Sequence, residues 1–157
     1  MNVIPLICLM LLFRPSEVPV RSRNLMVAAA TSEDSANTFF RLCQSEKQLT
    51  PLKEGYKGLA EIMLCNYGYN PFTKFSRFLS GKAALEHALR CQPHNTELHF
   101  LRFVVQTKCP ALLGYRCNLD EDKAVLKAFL EDPSATMNDG GLTALIRSFL
   151  CKTSVKI

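Results

Sequence analysis

The sequence predicts an all-α fold with no sheet, an array of antiparallel helix pairs, and three observations carry that prediction. Apolar residues recur three, four and seven positions apart in segment after segment, the repeat of a helix with one buried face. No stretch alternates apolar and polar residues between turn signals for the length of a strand. The gaps between periodic segments are short, which favours antiparallel neighbours. A chain of 157 residues with 48% hydrophobic content suits one domain with a real core. Six or seven helices are expected.

Val3–Phe13 is an uncharged apolar run, VIPLICLMLLF. Its length fits the hydrophobic part of an export signal and falls short of the ~20 residues that cross a bilayer. No Lys or Arg precedes it, and the small residues Ala28-Ala29-Ala30 lie too far downstream for cleavage. Residues 1–15 are read as an export segment, which implies a periplasmic or secreted protein; without that signal the location is cytoplasmic. Residues 16–157 form the helical domain.

Ser16 caps a first helix to Ala30, with Pro19 in its first turn and Val18, Leu25 and Ala28/Ala29 facing inward. Thr31-Ser32-Glu33-Asp34 starts the second, a hydroxyl cap followed by acids at the positive end of the dipole. Ala36, Phe39/Phe40 and Cys43 are its inner face. Thr50-Pro51 opens the third, since proline at the first helical position loses no hydrogen bond. Leu52, Tyr56, Leu59 and Met63 make its stripe, while Gly55 and Gly58 suit a close helix–helix approach. Asn70-Pro71-Phe72 reads as a break, with a fourth helix from Thr73 or Lys74 that buries Phe75, Phe78/Leu79, Leu85 and Ala88/Leu89.

Pro93 ends that helix, and Asn95 or Thr96 caps the fifth. Leu98, Leu101 and Val105 form a stripe widened by Phe100 and Val104, so this helix is expected to be central. Pro110–Cys117 is an ordered loop turned by Gly114 and anchored by Leu112, Leu113 and Tyr115. Asn118-x-x-Glu121 is a capping-box-like start, and Asp132-Pro133-Ser134 ends the helix that follows. Asn138 or Asp139 caps the last, whose face is Leu142, Leu145, Ile146, Phe149 and Leu150.

Gly81, Leu85, Ala88 and Pro93 fall at the spacing of the second half of a tetratricopeptide repeat. On those residues the chain resembles a short, degenerate tetratricopeptide-like array. It also resembles a group of small, largely uncharacterised bacterial helical proteins. That likeness rests on Asn70-Pro71-Phe72-Thr73-Lys74, Gly81-Lys82, Leu101-Arg102-Phe103, Val105-Gln106-Thr107 and Leu113-Gly114-Tyr115. The resemblance implies stacked helical hairpins and frequent export, and supplies no catalytic residues.

The formal charge is +5, and residues Lys74 to Arg116 account for all of it, with seven basic and two acidic side chains. The basic residues are scattered rather than in a run, so a solvated face is expected, with peripheral contact to an anionic membrane as a lesser reading and no specific nucleic acid. The seven cysteines contain no Cys-x-x-Cys, which removes zinc-ribbon and thioredoxin-type sites. Cys109 and Cys117 flank the ordered loop and could close a short disulfide in an oxidising compartment. His87 and Cys91 share a helix face without further ligands in view, and no nucleophile elbow or phosphate loop is present. The acids Asp120, Glu121 and Asp122 complement a helix dipole. No metal, cofactor or catalytic set is expected.

The polar residues singled out for binding are Asn70, Lys74, Arg102, Gln106 and Tyr115. Arg102 and Gln106 share a helix face beside the apolar stripe, where Arg102 either braces carbonyls around Leu113-Gly114 or faces a ligand. A non-enzymatic binding or scaffold module is expected, holding a protein or peptide in a groove between helices. The alternative is a small enzyme or ligand carrier with a pocket near Arg102, Gln106 and Tyr115.

Overall fold

The computed structural model describes residues 17–45 and 50–155, so residues 1–15, read above as an export segment, lie outside the described residues. Within them the chain is all-α, with eight helices and no strand. They are α1 (Glu17–Ala29), α2 (Glu33–Ser45), α3 (Pro51–Leu64), α4 (Pro71–Cys91), α5 (Thr96–Lys108), α6 (Leu119–Glu131), α7 (Pro133–Asn138) and α8 (Gly140–Thr153), plus one 3-10 turn at Ala111–Leu113.

Two segments read as breaks are starts. Asn70 caps α4, its side chain accepting from the Phe72 and Thr73 amides, with Pro71 at the first helical position. Asp132 does the same for α7, accepting from Ser134 and Ala135 ahead of Pro133. In both, the proline fits the first turn of the helix, where its missing N–H has no partner to lose.

Consecutive helices pack on one another along the chain. The α3–α4 pair is antiparallel: Glu54 meets His87, Gly58 meets Gly81 and Cys65 meets Lys74. The two backbones touch at the glycines. A Cβ on Gly58 would lie 2.5 Å from the Gly81 carbonyl oxygen, and one on Gly81 would lie 2.4 Å from that of Gly58. Gly55 likewise leaves room for Leu98 of α5, whose Cδ2 would sit 2.3 Å from an added Cβ.

Helix α5 is the hub. Nine of its 13 residues are buried. It packs on α3, α4 and α6, and Phe100 and Phe103 meet Phe149 of α8 edge to face at 5.7 and 6.0 Å.

Three sequence expectations are corrected. On α1 the buried set is Ser22, Arg23, Met26 and Ala29, with Leu25 and Ala28 half-buried. On α4, Phe75 is 53% and Leu79 47% exposed. The glycine contact fixes the phase of that helix, and the stripe through Phe78, Gly81, Leu85 and Ala88 runs back through Lys74 instead. In the loop, Tyr115 is buried and Leu113 half-buried, but Leu112 is 96% exposed.

Candidate functional site

The site is built where α4, α5, the loop and α6 meet. Arg102 projects from the middle of α5 and is 5% exposed. A buried guanidinium calls for opposite charge rather than carbonyl dipoles, and three carboxylates supply it. Asp122 on α6 accepts from Arg102 Nη2 at 2.7 Å and from Nε at 3.0 Å. Glu121 lies 3.0 Å from Nη2, and Glu86 on α4 lies 3.4 Å from Nη1. Burial works against the Arg102 charge, but the hydrogen bonds and charge of Asp122, with Glu86 and Glu121, outweigh it and raise its pKa.

His99, one turn earlier on α5, shares Asp122. Its Nδ1 lies 2.7 Å from Asp122 Oδ1 and its Nε2 lies 2.8 Å from the Pro93 carbonyl oxygen. Both neighbours are acceptors, and only the doubly protonated ring can donate to both. The hydrogen bond to Asp122, against the opposing effect of burial, lifts the His99 pKa above its ordinary value.

Tyr115 closes the same junction from the loop. Gly114 takes a left-handed conformation at φ 61°, and the tyrosine ring then lies along α4. It meets Phe78 edge to face at 5.9 Å, lies 4.7 Å under Lys82 Nζ and donates its hydroxyl to Glu86 at 2.5 Å. These α4 residues are one turn apart, so a single helix face holds the whole ring. Burial, then the Glu86 hydrogen bond, pushes the Tyr115 hydroxyl far above its ordinary pKa.

Gln106 is fully buried and stitches the loop's far end to α5. Its Oε1 accepts from the Asn118 backbone N–H at 3.0 Å, and its Nε2 donates to Asn118 Oδ1 at 3.3 Å. The expected capping box is therefore rearranged. Asn118 makes no side-chain cap to the α6 backbone; it donates to the Glu121 carboxylate at 2.9 Å, and a glutamine from another helix takes the N-terminal amide.

Arg102, Gln106 and Tyr115 are thus brought together, but Arg102 braces α6 and α4 through carboxylates rather than carbonyls at Leu113-Gly114. Asn70 and Lys74 lie elsewhere. Asn70 is a helix cap, and half-buried Lys74 lines a separate cleft of about 130 Å³ with Glu33, Tyr67 and Arg77. The cleft beside Arg102, lined by Glu86, Arg90, His99 and Glu121 among others, holds about 190 Å³. Both are below the ~300–1,000 Å³ of small-molecule pockets. Cys109 and Cys117 are free thiols. Among the described residues no cluster of His, Cys, Asp and Glu is placed to hold a metal ion, and no helix is long and apolar enough to cross a membrane.

A second ionic cluster has no counterpart in the sequence reading. Arg23 of α1, 9% exposed, donates Nε and Nη2 to Glu97 of α5 at 2.7 and 2.8 Å. It donates Nη1 and Nη2 to Asp139, the cap of α8, at 2.8 and 2.7 Å. The Tyr56 hydroxyl of α3 donates to Glu97. One guanidinium so ties the start of α5 to α1 and α8. Burial opposes the Arg23 charge, but the hydrogen bonds to Glu97 and Asp139 outweigh it and raise its pKa. The only sequence signals were an acid in the first turn of α5 and an acid before α8, both of which fit dipole complementation alone.

Fold and site define a helical array whose buried charges are internally matched. No protein-family model, curated protein or solved structure gives a significant match to the chain.

Proposed function

We propose that the protein is a non-enzymatic binding module that holds a protein or peptide partner against the N-terminal half of α4. The observation that carries this reading is an apolar face that, among the described residues, stands exposed. Phe72, Phe75 and Leu79, at i, i+3 and i+7, are 85%, 53% and 47% exposed, and Tyr69 just ahead of the helix is 99% exposed. Large apolar side chains clustered on one helix face mark an interaction surface. Lys74 and Arg77 lie on the opposite, inward side of the helix, beside the cleft between α2, α3 and α4. The matching partner is an amphipathic helix, docking by its apolar side chains.

The alternative of an enzyme or ligand carrier near Arg102, Gln106 and Tyr115 has less support. Arg102 is already met by three carboxylates, Gln106 by Asn118 and Tyr115 by Glu86, so an incoming anion would have to displace internal partners.

A photo-crosslinking side chain at Phe75 tests the proposal against one at Met137, which is 85% exposed on α7. Adduct formation in native extract at position 75, lost on adding Leu79→Asp and weak at 137, is the expected result. Equal labelling at both positions, or adducts indifferent to Leu79→Asp, would refute it.

A further inference from the structure

At the C-terminal end of α4, three side chains from two helices stand in line. Glu54 of α3 places its carboxylate oxygens 3.0 and 2.9 Å from His87 Nδ1. One turn further along α4, Cys91 Sγ lies 3.8 Å from His87 Nε2. A carboxylate only accepts, so Nδ1 carries the ring proton and Nε2 is left to accept from the thiol. Carboxylate, imidazole and thiol in that order are the parts of a base-assisted nucleophile. The His87 side chain is 54% exposed, Glu54 27%, and Cys91 is exposed, so a reagent can reach the sulfur.

We propose that Cys91 is a nucleophilic thiol, served by His87 and oriented through Glu54, that exchanges with low-molecular-weight disulfides to form a mixed disulfide. The setting selects this chemistry over acyl transfer. Cys91 closes a helix whose amides bond within the helix, the next one, Gln92 N–H, being given to the Ala88 carbonyl. The local backbone is thus committed and does not offer the paired donors that a tetrahedral oxyanion needs. Thiol–disulfide exchange needs only a thiolate and an open line of approach. In the step, Cys91 Sγ passes its proton to His87 Nε2 and attacks one sulfur of R–S–S–R. The Sγ–S bond forms as the S–S bond breaks, and the departing RS⁻ takes the proton from Nε2. Cys91–SH and R–S–S–R become Cys91–S–S–R and RSH, so the small disulfide is the oxidant.

The other thiols provide internal controls. Burial pushes the Cys65 and Cys109 thiols up. Cys117 and Cys151 are exposed, and the Cys117 thiol points to an amide oxygen, Asn118 Oδ1, at 3.1 Å.

The test uses the full, reduced chain with oxidised glutathione and follows each cysteine by peptide mass. Cys91 is expected to form the mixed disulfide about tenfold or more faster than Cys117 and Cys151. His87→Ala should bring Cys91 down to their rate, and Glu54→Gln should place it between, with Cys117 and Cys151 unmoved in both variants. Equal rates at Cys91, Cys117 and Cys151 in the unmodified chain, or variants that leave Cys91 unchanged or slow all three together, would overturn the proposal.

Discussion

The α3–α4 and α5–α6 pairs are both close contacts between consecutive helices, held by opposite means. In the first, side chains are removed: Gly58 and Gly81 let two backbones meet. In the second, charges are inserted: Arg102, His99 and Asp122 fill the interface and Glu86 and Glu121 complete it. The glycine contact is local and made by backbone atoms. The ionic contact is directional, and it reaches beyond its own pair to α4 and the loop. Close packing therefore sets where α3 and α4 cross, while matched charge sets how the C-terminal helices attach to α5.

The largest effect expected from breaking this contrast is at Asp122. Asp122→Ala leaves Arg102 and His99 without their shared partner and should cost about 3–5 kcal/mol in urea unfolding. On the other side, Gly58→Leu forces α3 and α4 apart. It should cost about 1–3 kcal/mol through overpacking, with a circular-dichroism melt that shifts equally at low and high salt. Asn70→Ala removes the cap of α4 and should cost about 1 kcal/mol, and chemical denaturation of the purified variant measures it. The smallest effect is a tilt with pH. His99 has a folded pKa raised above 6.5, so its contribution to stability is complete below that value and fades as pH rises through the folded pKa. Urea midpoints taken from pH 6 to pH 9 should fall for the unmodified chain, and His99→Gln should flatten that fall.

These two means of packing differ in how far the sequence exposes them. Gly55, Gly58 and Gly81 stand out in helical segments because glycine there has a propensity cost and no packing side chain, so close approach is legible. Asn95 and Asp139 are legible as caps for the same local reason. The width of the apolar stripe on α5 marks it as central. The ionic contacts are hidden because each acid has a sufficient local explanation. Asp122 and Glu121 look like dipole partners, and Glu97 looks the same in the first turn of α5. Only the distant Arg102 and Arg23 show otherwise, and long-range pairing leaves no trace in spacing. Arg23 lies on a helix with little amphipathic pattern, and Ser22 and Arg23 interrupt its inner face. Phe75 and Leu79 misled in the opposite direction. Their spacing is that of a core stripe, but the phase of α4 is set by the glycine crossing, and two turns of the helix carry their aromatic face past it.

The same contrast locates the proposed binding face. The ionic junction is saturated from within, whereas the first turns of α4 present Phe72, Phe75 and Leu79 to solvent. Substituting those residues should leave stability within about 0.5 kcal/mol, as for exposed positions elsewhere, while substitutions at Arg102 should act on stability.

The central claim is that Arg102 is a brace for α6 rather than a ligand site, and a double-mutant cycle on Arg102 and Asp122 tests it most directly. Urea unfolding of Arg102→Ala, Asp122→Ala and the double variant should show strong coupling, with the double variant losing clearly less than the sum of the two single losses because the Arg102–Asp122 interaction is counted in both. A double variant whose loss equals the sum of the two single losses would contradict the account.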